Sequence, residues 1–439
     1  MMSGRSTTAG AEIVTFDTAR SIVANAICVL GREQVPLCDA LGRVAAENVI
    51  AEEDLVPYAR SAMDGYALRA SDTVSASPQS PVGIQFVGKV FAGEGKTAVT
   101  AGTTMGITTG APIPHNADAV VPYEQVELRD GMVVLRAAIP PGDCIFPPAE
   151  DVRRGETLLK EGTVLRPAVM ALLAFVGKSR LRVHRRPKVN VLCTGSELVD
   201  VSERPAYGQV RNSNAYSLVA ALSECGAEAR YCGAVADSPE RLRSALQAAR
   251  EGADLLLTTG GASVGERDMV KSVLEDIGID FEFRRVAMRP GKPFALGLWG
   301  ALPVCVLPGN PSAAFVCFQE FVRPVVLKMA GCARTELATV KATLTGRAKS
   351  KAGSRHIVFA RLAITDSQFF VQPLENQCSA LVRNPAMANS LILLPEGPAS
   401  YDSGDEVTVQ VLDWESTVNE GGRSASGCQS GFSVAHFAT

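Results

Sequence analysis

Between residues 186 and 331 apolar runs alternate with amphipathic stretches, and this succession restricts the fold more than any other feature of the chain. Val189 to Cys193 reads as a strand, Asn214 to Cys225 as a helix closed by Gly226, and Ala229 to Val235 as a second strand. A helix follows, with Ser238 as N-cap and Pro239 at its first position, where a missing N–H leaves no helical bond unmade. Leu255 to Leu257, Met269 to Ile277, Val304 to Leu307 and Ser312 to Ala330 continue as strand, helix, strand and long final helix. The pattern predicts a doubly wound parallel sheet that holds its ligands at the carboxyl ends of the strands.

The flanking segments follow other rules. Ile22, Val23, Ala26, Ile27 and Leu30 recur at helical spacing, and Leu41, Val44, Ala45 and Val49 continue it after Pro36, so two helices are expected before residue 50. From about 55 to 154 short β-rich runs alternate with glycine and proline, and Asp130-Gly131 marks a hairpin turn. Pro167 opens a helix through Val176 that Gly177 closes. Short strands return from 338 to 412, the last over Asp405 to Leu412. The expected architecture is a multidomain α/β chain. An N-terminal helical domain (11–54 with 155–185) carries a β-rich insert (55–154). A doubly wound α/β domain (186–335) and a C-terminal small β-barrel (336–415) follow, and the ends 1–10 and 416–439, rich in Ser, Gly, Thr and Ala, are expected to lack fixed structure.

Composition narrows the function. In 439 residues, 43 basic side chains face 46 acidic ones, so a formal charge of -3 offers no field for nucleic acid or a membrane surface. The absence of a signal-like or membrane-spanning apolar run points to the cytoplasm. Eleven cysteines stand singly with no Cys-x-x-Cys pair, as in a reducing compartment. The four histidines have no zinc-ligand spacing, so a metal here is expected to be hard and oxygen-bound.

Chemistry concentrates in loops at the predicted strand ends. The turn 258–268, Thr-Thr-Gly-Gly-Ala-Ser-Val-Gly-Glu-Arg-Asp, places three glycines, Thr259, Ser263 and free amides where phosphate-like oxygens can bind, with Asp268 beside them. It lacks the Gly-Lys-Ser/Thr ending of a P-loop and a full dinucleotide fingerprint, and a plain strand-to-helix turn remains an alternative. Thr194-Gly195-Ser196-Glu197 and Leu307-Pro308-Gly309-Asn310-Pro311-Ser312 are similar loops at the same predicted edge, where a helix N-terminus favours anions. Arg289-Pro290-Gly291-Lys292 sets two cations beside a tight turn, either an oxyanion contact or a solvated surface turn. Glu197, Asp237 and Asp268 are carboxylates whose approach would call for a cation, for which Mg²⁺ suits oxygen ligands together with substrate phosphates. Asp237 can equally be a helix cap, and Asp64, before Gly65, reads first as a turn former.

These motifs together resemble the molybdopterin molybdenumtransferase family, of the bacterial MoeA and gephyrin E-domain type. The resemblance runs in order through Ser-Ala-Met-Asp-Gly-Tyr-Ala at 61–67, Thr-Gly-Ala-Pro at 109–112, Glu150-Asp151, Thr-Gly-Ser-Glu-Leu at 194–198, Gly-Gly-Ala-Ser-Val-Gly at 260–265 with Asp268, Pro-Gly-Lys-Pro-Phe at 290–294 and Leu-Pro-Gly-Asn-Pro at 307–311. It implies an enzyme that takes adenylylated molybdopterin and molybdate, inserts molybdenum with Mg²⁺ and releases AMP. It also implies a homodimer whose cleft joins the α/β domain of one subunit to the β-rich insert of the other, and allows a molybdopterin adenylyltransferase as partner.

Carried over by position, Asp64, Asp151, Glu197, Asp237 and Asp268 become the functional acids, with Asp237 and Asp268 placed at the metal or substrate. Thr109, Gly110, Ser196, Gly260, Gly261, Ser263, Val264 and Gly265 become substrate contacts, with Arg289 to Lys292 and Pro308 to Ser312 beside them. The chain departs from the family at Phe146-Pro147-Pro148-Ala149, at Arg289 in place of lysine, and at Gln377-Cys378-Ser379 in place of Gly-Ser-Gly. A non-catalytic scaffold on the same fold is the competing reading, and retention of all five acids speaks against it.

Overall fold

The computed structural model describes residues 13–260 and 269–420. The chain divides into two compact units, one built from 47–160 with 167–179, the other from the segments up to 46, 161–166 and from 180 onward. The segments 11–54 and 155–185, expected to form one helical domain, are therefore shared between the units.

The smaller unit centres on a six-stranded mixed sheet in the order 119–122, 65–68, 103–107, 82–90, 132–135, 127–129. Leu68, Ile84, Val121, Val133 and Leu135 fill its core. The expected hairpin forms at Asp130-Gly131, both left-handed (φ 51° and 78°), so that two residues reverse the chain in step with the strand twist. Pro167–Phe175 is a helix ended by Gly177 at φ 76°.

The larger unit opens with the helix Phe16–Asn25, whose Thr15 cap accepts the Thr18 N–H at 3.2 Å. The second expected helix does not form. Arg32–Pro36 instead pairs antiparallel with Arg180–His184, and Val44 and Ala45 bridge to Val164 and Val183. The helical spacing is overridden because Pro36 interrupts it and Gly42 turns the chain at φ 72°, which leaves Leu41 exposed.

The central sheet runs 228–235, 188–194, 255–259, 302–307, 295–299, 280–283. Its first four strands are parallel as expected, but 295–299 runs antiparallel to both of its neighbours, so the sheet is mixed. The cause is connection length: Trp299 pairs with Leu302 across the two residues Gly300 and Ala301, which suffice for a hairpin and not for a crossover. Ser213–Glu224, Pro239–Arg250 and Met269–Asp276 are the expected helices, and the last expected helix is a helical run from Pro311 to Met329 with one π turn at Phe318–Val322.

Five C-terminal strands close into a barrel: 339–344, 406–411, 390–394, 355–365 and 368–373, the last returning to the first. Met288–Arg289 adds in parallel to the 355–365 strand. One continuous core joins Phe16, Leu257, Phe294, Phe321, Phe359 and Leu391, with Phe294 stacked on Phe321 at 4.5 Å. The chain was expected to lose structure at 416, yet Trp414–Glu420 is a helix. Thr417 anchors it, being buried, donating to the Asp413 carbonyl at 2.7 Å and accepting from Asn389 Nδ2 at 3.3 Å. The expectations for 1–10 and 421–439 lie outside the described residues. Among the described residues no helix is long and apolar enough to cross a membrane.

At residue 65 a Cβ would fall into the Val121 carbonyl of the neighbouring strand. Gly65→Ala should therefore destabilise the smaller unit by about 1–3 kcal/mol, read as a lower urea midpoint. An unchanged midpoint would show that the two strands can part without cost.

Candidate active site at the carboxyl ends of the parallel strands

The strands 188–194, 255–259 and 302–307 end side by side, and beyond them opens a cavity of about 540 Å³, within the usual range for small-molecule sites. Thr194, Glu197, Asn214, Asp237, Gly260 and Gly309 are among the residues that line it. The first residues of the 213–224 helix and of the 311–329 helical run stand at its edge. Helix starts present unpaired amides and a positive dipole end, each worth roughly 0.3–1 kcal/mol to a bound anion. Asn212 caps the first of them, accepting the Ala215 N–H at 3.2 Å while its Nδ2 donates to the Tyr231 hydroxyl at 3.0 Å.

Neutral hydrogen bonds hold the floor of the cavity. Asn214 Nδ2 donates to Thr259 Oγ1 at 3.0 Å and to the Gly309 carbonyl at 2.8 Å, and Thr259 Oγ1 donates to the Pro308 carbonyl at 3.0 Å. The Gly260 N–H reaches the Leu307 carbonyl at 3.3 Å. Residue 260 has to be glycine: its φ is 101°, and a Cβ would overlap the Thr194 carbonyl.

Glu197 and Asp237 bring two exposed carboxylates to the cavity. Asp237 donates its N–H to Ser196 Oγ at 2.9 Å and accepts the Ser196 N–H at 3.5 Å, so the ends of two neighbouring strands are tied together. Asp237 is not the helix cap; Ser238 is, accepting the Arg241 N–H at 3.5 Å. Asp268, Gly261, Ser263, Val264 and Gly265 lie outside the described residues. Among the described residues no three His, Cys, Asp or Glu side chains gather closely enough to hold a metal.

Pro308, Asn310 and Pro311 line the cavity as well, and Ser312 is buried behind them. The barrel contributes a wall: Asn310 Nδ2 donates to Ser379 Oγ at 3.2 Å, Ser312 N–H to the Ser379 carbonyl at 3.1 Å, and Ala380 and Val382 line the space. Gln377, where the sequence departs from the family, plays a structural part. Its carboxamide accepts the Phe359 N–H at 3.0 Å and donates to the Phe359 carbonyl at 2.9 Å, completing a strand edge.

Pro293 reaches the cavity, whereas Arg289 and Lys292 do not line it. Arg289 is paired with His356 in the barrel sheet, where burial and then the Arg289 charge hold the imidazole pKa below its ordinary value. Gly291, after Pro290, packs on Cys317, whose thiol donates to the Gly291 carbonyl at 3.6 Å. Sequence reasoning missed Arg211, Asn212, Asn214, Ala380 and Val382 at the cavity. The cap-rich Asn212-Ser213-Asn214 at a predicted strand-to-helix edge is the signal that points to the first of these.

In the smaller unit Asp64 and Thr109 form a pair. Asp64 Oδ1 accepts the Thr109 N–H at 2.7 Å and its hydroxyl at 3.0 Å, and these bonds, the backbone one first, hold the exposed carboxyl below its ordinary pKa. Gly110, at φ 80°, donates to the Ser61 carbonyl at 2.8 Å, which fixes the Thr109 turn beside the 61–67 segment. Phe146 lies under the Arg60 guanidinium at 5.2 Å, and Asp151 is exposed.

The sequence matches the MoeA N-terminal region (domain I and II) over residues 14–177, a probable molybdopterin binding domain over 190–328 and the MoeA C-terminal region (domain IV) over 341–412. It is 34% identical over 385 residues to the molybdopterin molybdenumtransferase of Bacillus subtilis, covering 87% of this chain and 89% of that one. The chain belongs to the molybdopterin molybdenumtransferase family. The family's member from Haemophilus influenzae is 34% identical over 404 residues, which cover 91% of this chain and 98% of that protein. The fold is shared with the molybdopterin biosynthesis moeA protein of Pyrococcus horikoshii OT3 at a TM-score of 0.78 and 28% identity, over 91% of this chain and 100% of that one.

Asn214→Ala should lower stability by about 1–2 kcal/mol in urea unfolding, because it strips Thr259 and Gly309 of a donor; Asn214→Asp should not restore it, since a carboxylate has no N–H to give. Thr109→Val should raise the Asp64 pKa in an NMR titration. A folded pKa held below 3.8 contributes stability at higher pH that is lost as pH falls through it, so that acid-side loss should shrink in the variant.

Proposed function

We propose that this chain inserts molybdenum from molybdate into adenylylated molybdopterin and releases AMP, in molybdenum cofactor biosynthesis. The observation that carries the reading is the cavity at the strand ends, framed by two helix starts and two carboxylates, in a chain aligned along nearly its whole length with molybdopterin molybdenumtransferases. Both substrates are anions. Molybdate and the substrate phosphates suit the N–H groups at residues 213–214 and the positive dipole end of the 311–329 run, whose first residue is proline and whose Ser312 N–H is taken by Ser379, while Asn214 and Thr259 keep both turns in place. A scaffold would need no open cavity edged by Glu197 and Asp237.

The donor set fits Mg²⁺, for Glu197 and Asp237 offer hard carboxylate oxygens at a solvent-accessible edge, and Asp268 belongs to the same proposal. When bound, Mg²⁺ would offset the charge developing on the departing AMP. The Ser196 N–H orients that carboxylate through Oδ2, while Ser196 Oγ holds the Asp237 backbone N–H. Asp64 with Thr109 and Gly110, and Asp151, are assigned to the substrate as well, in a working species taken to be a homodimer. A molybdopterin adenylyltransferase would supply the substrate. The cytoplasm is the expected compartment, in keeping with ten cysteines that are free among the described residues.

The direct test mixes the purified protein with adenylylated molybdopterin, Mg²⁺ and low molybdate, and follows AMP and molybdenum cofactor. Stoichiometric release of both is expected, and absence of AMP overturns the proposal. Asp237→Asn should cut the rate at least about tenfold, equivalent to about 1.4 kcal/mol in the activation barrier, with the melting temperature and dimer mass unaltered. A rate indifferent to chelation would remove Mg²⁺ from the scheme, and a monomer by light scattering would remove the homodimer.

A further inference from the structure

Glu320 is 2% exposed, on the π turn of the 311–329 helical run and away from the cavity residues. Gln410, 4% exposed on the barrel strand 406–411, donates from Nε2 to Glu320 Oε2 at 3.5 Å. The second oxygen of each side chain, Glu320 Oε1 and Gln410 Oε1, is buried without a partner. An ionised carboxylate and a carboxamide oxygen can only accept, so neither oxygen can satisfy the other while Glu320 is charged. A proton on Glu320 Oε1 would supply a donor where two acceptors now stand unpaired.

We propose that Glu320 is a neutral acid in the folded protein, paired with the Gln410 carboxamide by two hydrogen bonds as a pin between the helical run and the barrel that ionisation opens. Three arginines pull toward the charged form, but those whose hydrogen bonds are seen spend them on other partners. Arg20 on the first helix is engaged by Glu336, and Arg323 Nη1 donates to the Thr335 carbonyl at 2.8 Å. Arg355 on the barrel donates from Nη2 to Asp17 Oδ2 at 3.0 Å, and its Nε has no partner, so it makes no hydrogen bond to Glu320 through that atom. Lys328, which with Glu336 lines a small cavity of about 60 Å³ beside Glu320, donates to the Ala24 carbonyl at 2.6 Å. Cys317, on the preceding turn, is a buried neutral thiol whose pKa is pushed up by burial first and by Glu320 second. Burial outweighs the pull of the three arginines and raises the Glu320 pKa to about 7.

The sign follows from linkage. With a folded pKa near 7 against an ordinary 4.5, the folded chain keeps a proton that the unfolded chain has lost. The contribution is therefore greatest below pH 4.5 and declines as pH rises toward 7.

The test is thermal unfolding of the full chain from pH 5 to pH 8, parent against Glu320→Gln. A carboxamide makes the same two bonds with no proton to lose. The melting temperature of E320Q relative to the parent should therefore rise by about 3 °C or more between pH 5 and pH 8. A constant offset across that range overturns the proposal. Gln410→Leu should cost more stability at pH 5, where the parent pair is formed, than at pH 8; equal losses count against the pin. Should either variant fail to fold, infrared difference spectra of the unaltered protein decide: a protonated-carboxyl band at pH 6 that disappears by pH 8 is expected, and its absence overturns the assignment.

Discussion

The hydroxyl of Thr259 is the bond on which the candidate site depends. It receives Asn214 from the start of one helix and donates to Pro308 beside the start of another, so three strand-to-helix transitions share one oxygen. Gly260 then presses its Cα against the Thr194 carbonyl, a contact that only a residue without a side chain permits. Backbone packed on backbone leaves few ways to rearrange, and preorganised amides and carboxylates are what an anion-binding edge requires.

A second constraint sets the far wall. The core that runs from Phe16 through Phe321 to Phe359 and Leu391 is continuous, so the barrel is seated on the helical run by apolar burial. Once it is seated, residues 379–382 meet Asn310 and Ser312 at the start of that run. Gln377 makes this possible by standing in for a strand at Phe359, freeing the following residues to leave the sheet toward the cavity.

Much of this was legible in the sequence, for local reasons. The parallel strands, their helices and the Ser238-Pro239 start are written in apolar periodicity and capping residues, and Glu197 and Asp237 could be placed because each follows a predicted strand directly. What was not legible arises from tertiary approach. The strands 280–283 and 295–299 are short and the direction of 295–299 depends on a two-residue turn, while the spacing after Pro36 suits a helix that Gly42 prevents. Ala380 and Val382 reach the cavity only because the barrel docks there. Arg289 and Lys292 look like oxyanion ligands by charge, and the structure fixes only their backbones, Arg289 in the barrel sheet and the Lys292 carbonyl on the Val286 N–H, while both residues are exposed.

The distribution of charge follows from the same physics. The cavity floor is built from threonine, asparagine and backbone, groups that can be buried when fully hydrogen-bonded, while Glu197 and Asp237 stay at the exposed edge. An ionised acid buried at the floor without a partner would cost several kcal/mol and would repel an anionic ligand. Among the described residues Glu320 is the one acid that is buried, and it lies against the barrel rather than the cavity. There, burial favours the uncharged form, and the neighbouring carboxamide has a free acceptor for its proton. An edge that recruits anions thus keeps its charges hydrated, and the one acid taken out of water sits where losing its charge completes a hydrogen-bonded pair.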